Sequence, residues 1–256
     1  MKRISRIWLT SRPTLLCAVV TLALTSASVA AASDGPGPFG VTAVADVTVQ
    51  NKRVGALFDA SRVGKLAGGH FCSASVVRSP QHMLIATAAH CVDDDDEDLV
   101  FVPGYRDGKA PYGVWKVGKR FLPDEWAKEQ SEDSDIAFAY VEELDGKRIQ
   151  DVLGGNRFVP GVATGATAVT VTGYPDTRDE PVTCTNKPTQ RGRTQQRIDC
   201  PEFTGGTSGS PWINGNDQVV GILGGHDKGG TTADTSYSVV LRGDAAKLYQ
   251  AATAGR

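Results

Sequence analysis

From Val54 onward the apolar positions fall in short runs, each bounded by Gly, Pro, Asn or Asp. Ser75–Val77, Met83–Ala86, Ile136–Val141, Ala168–Thr172 and Gln218–Leu223 are examples. These runs have strand length and are rich in β-branched residues, and their regular spacing predicts an all-β barrel or sandwich. Only Asp244–Ala252 has helical spacing and composition. No internal repeat is visible. Residues 33–53 are poor in core-forming pattern and contain Gly35-Pro36-Gly37-Pro38, which predicts a flexible leader or short propeptide.

The start of the chain reads as a processing signal. Lys2, Arg3, Arg6 and Arg12 precede a largely apolar run, Leu15–Leu24, and the small residues Ser28-Val29-Ala30-Ala31-Ala32 follow. That order of charge, apolar stretch and small residues predicts a secretory signal peptide over 1–32, cut near Ala30 or Ala32. The apolar run is too short to span a bilayer, which weighs against a retained anchor. Its loss changes the charge. The whole chain has 27 basic and 29 acidic residues. Without the four basic residues of the signal, 23 remain against 29, an acidic balance that argues against a nucleic-acid partner. A soluble, extracellular, monomeric protein is expected, with no membrane contact after cleavage.

Besides Cys17 in the signal, the chain has Cys72, Cys91, Cys184 and Cys200. An even number in an exported chain suggests two disulfides, and of the three pairings the spacing favours the local ones, Cys72–Cys91 and Cys184–Cys200. A tetrahedral zinc site is the alternative, but no Cys-x-x-Cys pair supports it, and no metal is expected. The run Asp93–Asp98 reads as a solvated loop. A calcium loop is the sharper alternative, although its acids lack the EF-hand spacing.

Three strings carry candidate chemistry. In Ile85-Ala86-Thr87-Ala88-Ala89-His90-Cys91 a strand runs through small residues, which leave room around an imidazole. In Asp133-Ser134-Asp135-Ile136-Ala137-Phe138 an aspartate precedes an apolar strand, and Asp133 is the competitor of Asp135. In Thr204-Gly205-Gly206-Thr207-Ser208-Gly209-Ser210-Pro211 glycines flank a serine, so the backbone can turn its N–H groups outward. Ser210 is the rival nucleophile there. A base, an aspartate that orients it, a nucleophile and a pair of amide donors are the parts that peptide hydrolysis by serine requires.

These strings resemble the TAAHC, D-I-A-L and G-x-S-G-S-P motifs of chymotrypsin/trypsin-like serine peptidases, in the same order His, Asp, Ser. The G-T-S-G-S-P string and the Gly-rich stretch 221–230 look closer to the bacterial secreted branch that resembles V8-like, glutamyl endopeptidase-like proteases. The resemblance implies a secreted serine endopeptidase with His90, Asp135 and Ser208 as catalytic triad. It implies an oxyanion hole from the amides of Gly206 and Ser208, a polypeptide substrate and no cofactor. It also implies two antiparallel six-stranded β-barrels with a C-terminal helix, the first over 54–151 and the second over 152–256. A catalytically inactive binding module of the same fold, or an esterase with the same triad, are the other readings.

Two departures stand out. Thr207 replaces the aspartate that receives a freed N-terminus in animal trypsins, which puts trypsin-style activation in doubt. Phe203 and Leu223 align with the Thr and His through which glutamyl-specific relatives recognise an acidic side chain. The candidate substrate pocket is Glu202, Phe203, Leu223, Gly224, Gly225 and His226, with Glu202 near the pocket floor and His226 as a partial substitute. The P1 preference and the activation route stay open.

Overall fold

The computed structural model describes residues 39–94 and 96–254. Fifteen strands cover them: β1 Thr42–Val44, β2 Val54–Asp59, β3 His70–Val77, β4 Leu84–Thr87, β5 Leu99–Pro103, β6 Trp115–Phe121, β7 Ala137–Val141, β8 Arg157–Phe158, β9 Val169–Gly173, β10 Val182–Asn186, β11 Thr189–Arg191, β12 Gln195–Asp199, β13 Pro211–Asn214, β14 Gln218–Ile222 and β15 Thr235–Val239. The helices are α1 Asp124–Glu129, α2 Ile149–Leu153 and α3 Gly243–Thr253. The signal-peptide reading and Cys17 lie outside the described residues. No helix of the described residues is long and apolar enough to cross a membrane.

Strands β2-β3-β4-β7-β6-β5 close an antiparallel barrel. Successive side chains on a strand point to opposite faces. In β7, Ala137, Ala139 and Val141 fill the barrel with Ile85, Val76, Phe101 and Trp115. Phe138 and Tyr140 of the same strand, with Leu84 and Ala86 of β4, point the other way. They pack on Phe158, Ile213, Val219, Ile222 and α3 of the second half. Both faces of β4 and β7 are therefore buried, which is why these strands read as unbroken apolar runs rather than alternating ones. α3 seals the seam with Ala245, Leu248 and Ala252, one apolar stripe at i, i+3 and i+7. The Tyr140 hydroxyl donates to the Ala252 carbonyl at 2.6 Å.

The second half is all-β as expected, but it is not a second closed antiparallel barrel. It holds a six-stranded sheet, β1-β10-β9-β13-β14-β8, and a three-stranded sheet, β11-β12-β15. A single bridge, Leu223 to Ser238, links the two sheets, and β8 runs parallel to β14. Its core holds Val171, Ile198, Phe203, Trp212, Val220 and Leu223 beside the bonded pair Cys184–Cys200. Within the stretch read as a leader, Thr42–Val44 forms an edge strand on β10, with Thr42 opposite Cys184. Helix α3 lies within a residue of the stretch expected from the sequence. α1 and α2 were not expected: six and five residues give too little of the 3.6-residue period to read.

Candidate active site

β4 delivers the first motif. The strand ends at Thr87, and a 3-10 turn, Ala89–Cys91, follows. Ala88 and Ala89 are fully buried. Cys91 is bonded to Cys72 of β3, with the two Cα atoms 6.1 Å apart, so the turn is stapled to the barrel wall. The buried indole of Trp126 on α1 lies 6.4 Å from the His90 ring.

Asp135 leaves a 3-10 turn, Glu132–Ser134, and is wholly buried. Its carboxylate accepts three N–H groups. Oδ2 lies 2.8 Å from His90 Nδ1 and 2.7 Å from the Gly225 amide, and Oδ1 lies 3.0 Å from the His90 amide. This set holds the ring by Nδ1 and leaves Nε2 for other work. Asp133 points elsewhere: its Oδ1 accepts from Gln195 Nε2 at 2.9 Å. Gly224 has to be a glycine, because a Cβ there would stand 2.8 Å from Asp135 Oδ2 and 3.1 Å from the Ala88 methyl.

Ser208 sits on a loop shaped by backbone. Gly206 and Gly209 have φ of +85° and +84°, a region closed to most other residues. A Cβ on Gly209 would stand 2.0 Å from the Ser73 carbonyl, and one on Gly206 2.6 Å from the Tyr174 carbonyl. Ser73 of β3 clamps this loop to the first barrel. Its N–H donates to the Ser208 carbonyl (2.7 Å), its hydroxyl donates to the Gly206 carbonyl (3.0 Å), and the same oxygen accepts from Tyr174 N–H (2.9 Å). The Gly206 and Ser208 amides make no hydrogen bond to the described residues. Ser210 is fully buried and its hydroxyl is bound to the Thr207 carbonyl at 2.6 Å, so it is no free nucleophile. Thr207 is buried with its hydroxyl on the Thr204 carbonyl.

The structure brings His90, Asp135 and the Gly224–Gly225 backbone together, and Ser73 of β3 joins the Ser208 loop to the first barrel. The other pocket candidates disperse. Glu202 lies at the surface in an ion pair with Arg178 (3.0 Å). Phe203 and Leu223 belong to the core of the second half. His226 is held by Glu132, with Nδ1 3.1 Å from Oε2, and by Arg191, whose Nη2 lies 2.7 Å from Nε2. The Asp227 amide donates to Glu132 Oε1 at 2.8 Å, and this bond is the main cause that holds the Glu132 carboxyl below its ordinary range. Glu132, His226 and Asp227 form a possible ligand cluster. The Arg191 guanidinium, 2.7 Å from His226 Nε2, already sets a positive charge against that cluster, and Asp227 Oδ2 lies 3.0 Å from the same nitrogen. In the acidic run 93–98, Arg120 donates to the carbonyls of Asp94 and Glu97, so a resident cation already occupies that loop. Ser73, Gln195 and Trp126 are the site neighbours that the sequence reading missed. A buried Ser following Cys72 was the one signal available for the first of them.

The chain matches the trypsin-like peptidase domain over residues 72–222. No curated protein matches it. Among solved structures it resembles the protease Anisep from Arthrobacter nicotinovorans, at 26% identity and a TM-score of 0.69, covering 80% of this chain and 96% of that one. It resembles equally a thermostable serine protease, AL20, from an extremophilic microorganism, at 26% identity and a TM-score of 0.68, covering 82% and 100%. A Glu endopeptidase bound to MPD shares the fold at 16% identity and a TM-score of 0.66, covering 86% and 99%. With a closed six-stranded barrel, a second β-rich half, a bonded Asp–His pair and a glycine-built serine loop, this chain belongs to the trypsin-like peptidase family and has the trypsin-like serine protease fold.

Proposed function

We propose that the protein is an exported serine endopeptidase that cleaves polypeptides through an acyl-enzyme on Ser208. The observation that carries this reading is the His90–Asp135 pair: a buried carboxylate with three N–H donors fixes the ring by Nδ1, in a chain whose serine loop is turned by two left-handed glycines, Gly206 and Gly209. His90 Nε2 takes the proton of Ser208 as its oxygen attacks the scissile carbonyl. The C=O electron pair moves onto oxygen, where the free amides of Gly206 and Ser208 receive it. His90 returns the proton to the leaving amine as the C–N bond breaks, and water then repeats the sequence against the ester. No step requires a cofactor. The two disulfides and the signal-like N-terminus support export to an oxidising compartment. The cleft lies between the units proposed at 54–151 and 152–256.

A fluorophosphonate probe tests the reading. It should add covalently to Ser208, as peptide mapping by mass would show, and an unlabelled protein would point to an inactive binding module. A peptide library alongside small esters separates a peptidase from an esterase, and it also reports the P1 preference.

A further inference from the structure

Residues 225–230 form a strap across the nucleophile. Gly225, Asp227, Lys228, Gly229 and Gly230 all have positive φ, at 77°, 49°, 54°, 110° and 125°. Two of these are not glycine; Asp visits the left-handed region readily, but at Lys that backbone persists where its surroundings impose it. Glu132 imposes it. One carboxylate oxygen accepts the Asp227 N–H and the other the His226 ring N–H, so the turn next to Asp135 grips the middle of the strap. Arg191 adds a second hold, bonding His226 and lying 4.7 Å over the Tyr237 ring. At the far end, the Lys228 carbonyl accepts the Ser208 hydroxyl at 3.3 Å, a bond that takes the proton away from the His90 ring. Beneath it Gly229 is buried against Leu223, where a Cβ would stand 2.4 Å from a methyl group.

We propose that Glu132 is a positioning residue that latches this strap across Ser208, so that the hydroxyl rests on the Lys228 carbonyl until the strap swings aside. The inference rests on Ser208 being the nucleophile. In the latched state the Ser208 hydroxyl donates to the Lys228 carbonyl and not to the base. Opening lets the Ser208 hydroxyl turn its hydrogen bond from the Lys228 carbonyl to His90 Nε2, which completes the triad. The latched fraction therefore subtracts directly from the reactive fraction.

The test compares rates of fluorophosphonate labelling in the whole protein. Glu132→Ala removes the latch. Lys228→Val keeps the carbonyl but makes the left-handed backbone costlier, so it opens the strap from the other end. Each variant should label about threefold or more faster than the parent at equal probe concentration. A merely structural loss would slow labelling instead. A folded variant that labels at or below the parent's rate overturns the proposal, and if Glu132→Ala does not fold, Lys228→Val decides alone. Should the parent fail to label, the hydrolase reading falls and hydrogen exchange judges the latch. Amides 226–230 must then exchange faster in Glu132→Ala, and equal rates overturn it.

Discussion

The two halves of the molecule meet the cleft with different materials. The first barrel contributes side chains, His90 and Asp135, on turns braced by a disulfide and by a closed cylinder of strands. The second half contributes mostly backbone: the amides of Gly206 and Ser208, the Gly225 N–H on Asp135 and the Lys228 carbonyl on Ser208. Side-chain chemistry needs particular residue types. Backbone chemistry needs particular dihedral angles, which glycines supply and neighbouring atoms enforce. The clamp between the two is Ser73, a first-barrel residue that bonds the serine loop at two carbonyls.

The sharpest break falls on the side-chain half. Asp135→Asn exchanges an acceptor of three N–H groups for an amide that can accept on one oxygen only. Turnover should fall by about 10⁴-fold with little change in melting temperature. A loss under tenfold would show that Asp133 or another group orients His90.

On the backbone half, Gly209→Ala should destabilise the protein by about 3 kcal/mol or more, because its φ is +84° and the new methyl would meet the Ser73 carbonyl at 2.0 Å. Denaturant unfolding measures this, and near-parental stability would mean that the loop yields freely. The two disulfides sharpen the contrast further. Removing either should cost about 2–4 kcal/mol. Removing Cys72–Cys91, beside His90, should also lower kcat, whereas removing Cys184–Cys200 should leave kcat near the parent's below the melting range. Equal losses of kcat would erase the distinction between the halves.

The smallest effect is a pH dependence in the strap. Glu132 has its carboxyl held low, first by the Asp227 N–H and with help from His226 against the cost of desolvation. A depressed folded-state value means that this contribution is present above the unfolded carboxyl range and is lost as pH falls through the folded value. Exchange of the Asp227 amide should accelerate, relative to the intrinsic rate, as pH falls below the ordinary glutamate range. The Glu132→Gln variant should lack that step, and an identical profile in both proteins would remove Glu132 from the strap.

The same division decides what the sequence could tell. The Thr87–Cys91, Asp133–Phe138 and Gly205–Pro211 strings carry residue types at fixed spacing, and the structure joins the histidine and aspartate of the first two. The rejection of Asp133 and Ser210 followed from which neighbour each was joined to, and the structure ties up both elsewhere. The surroundings of Glu202 were not legible, because spacing along a loop does not say which way a side chain turns; at a φ of +66° it pairs with Arg178 at the surface. The second half was expected as a closed barrel, since strand runs reveal neither the parallel β8–β14 pair nor a gap bridged at one residue. Ser73 and Glu132 act through backbone partners more than a hundred and about ninety residues away, a distance no local pattern records.

The central claim is that Ser208 is the nucleophile, and Ser208→Ala tests it most directly. Among the described residues the hydroxyl hydrogen-bonds only to the Lys228 carbonyl, so its removal should leave the melting temperature near the parent's. The value of kcat/KM on a peptide that the parent cleaves should fall by about 10³-fold or more. A folded Ser208→Ala protein that turns over that peptide at a rate comparable to the parent would contradict the account.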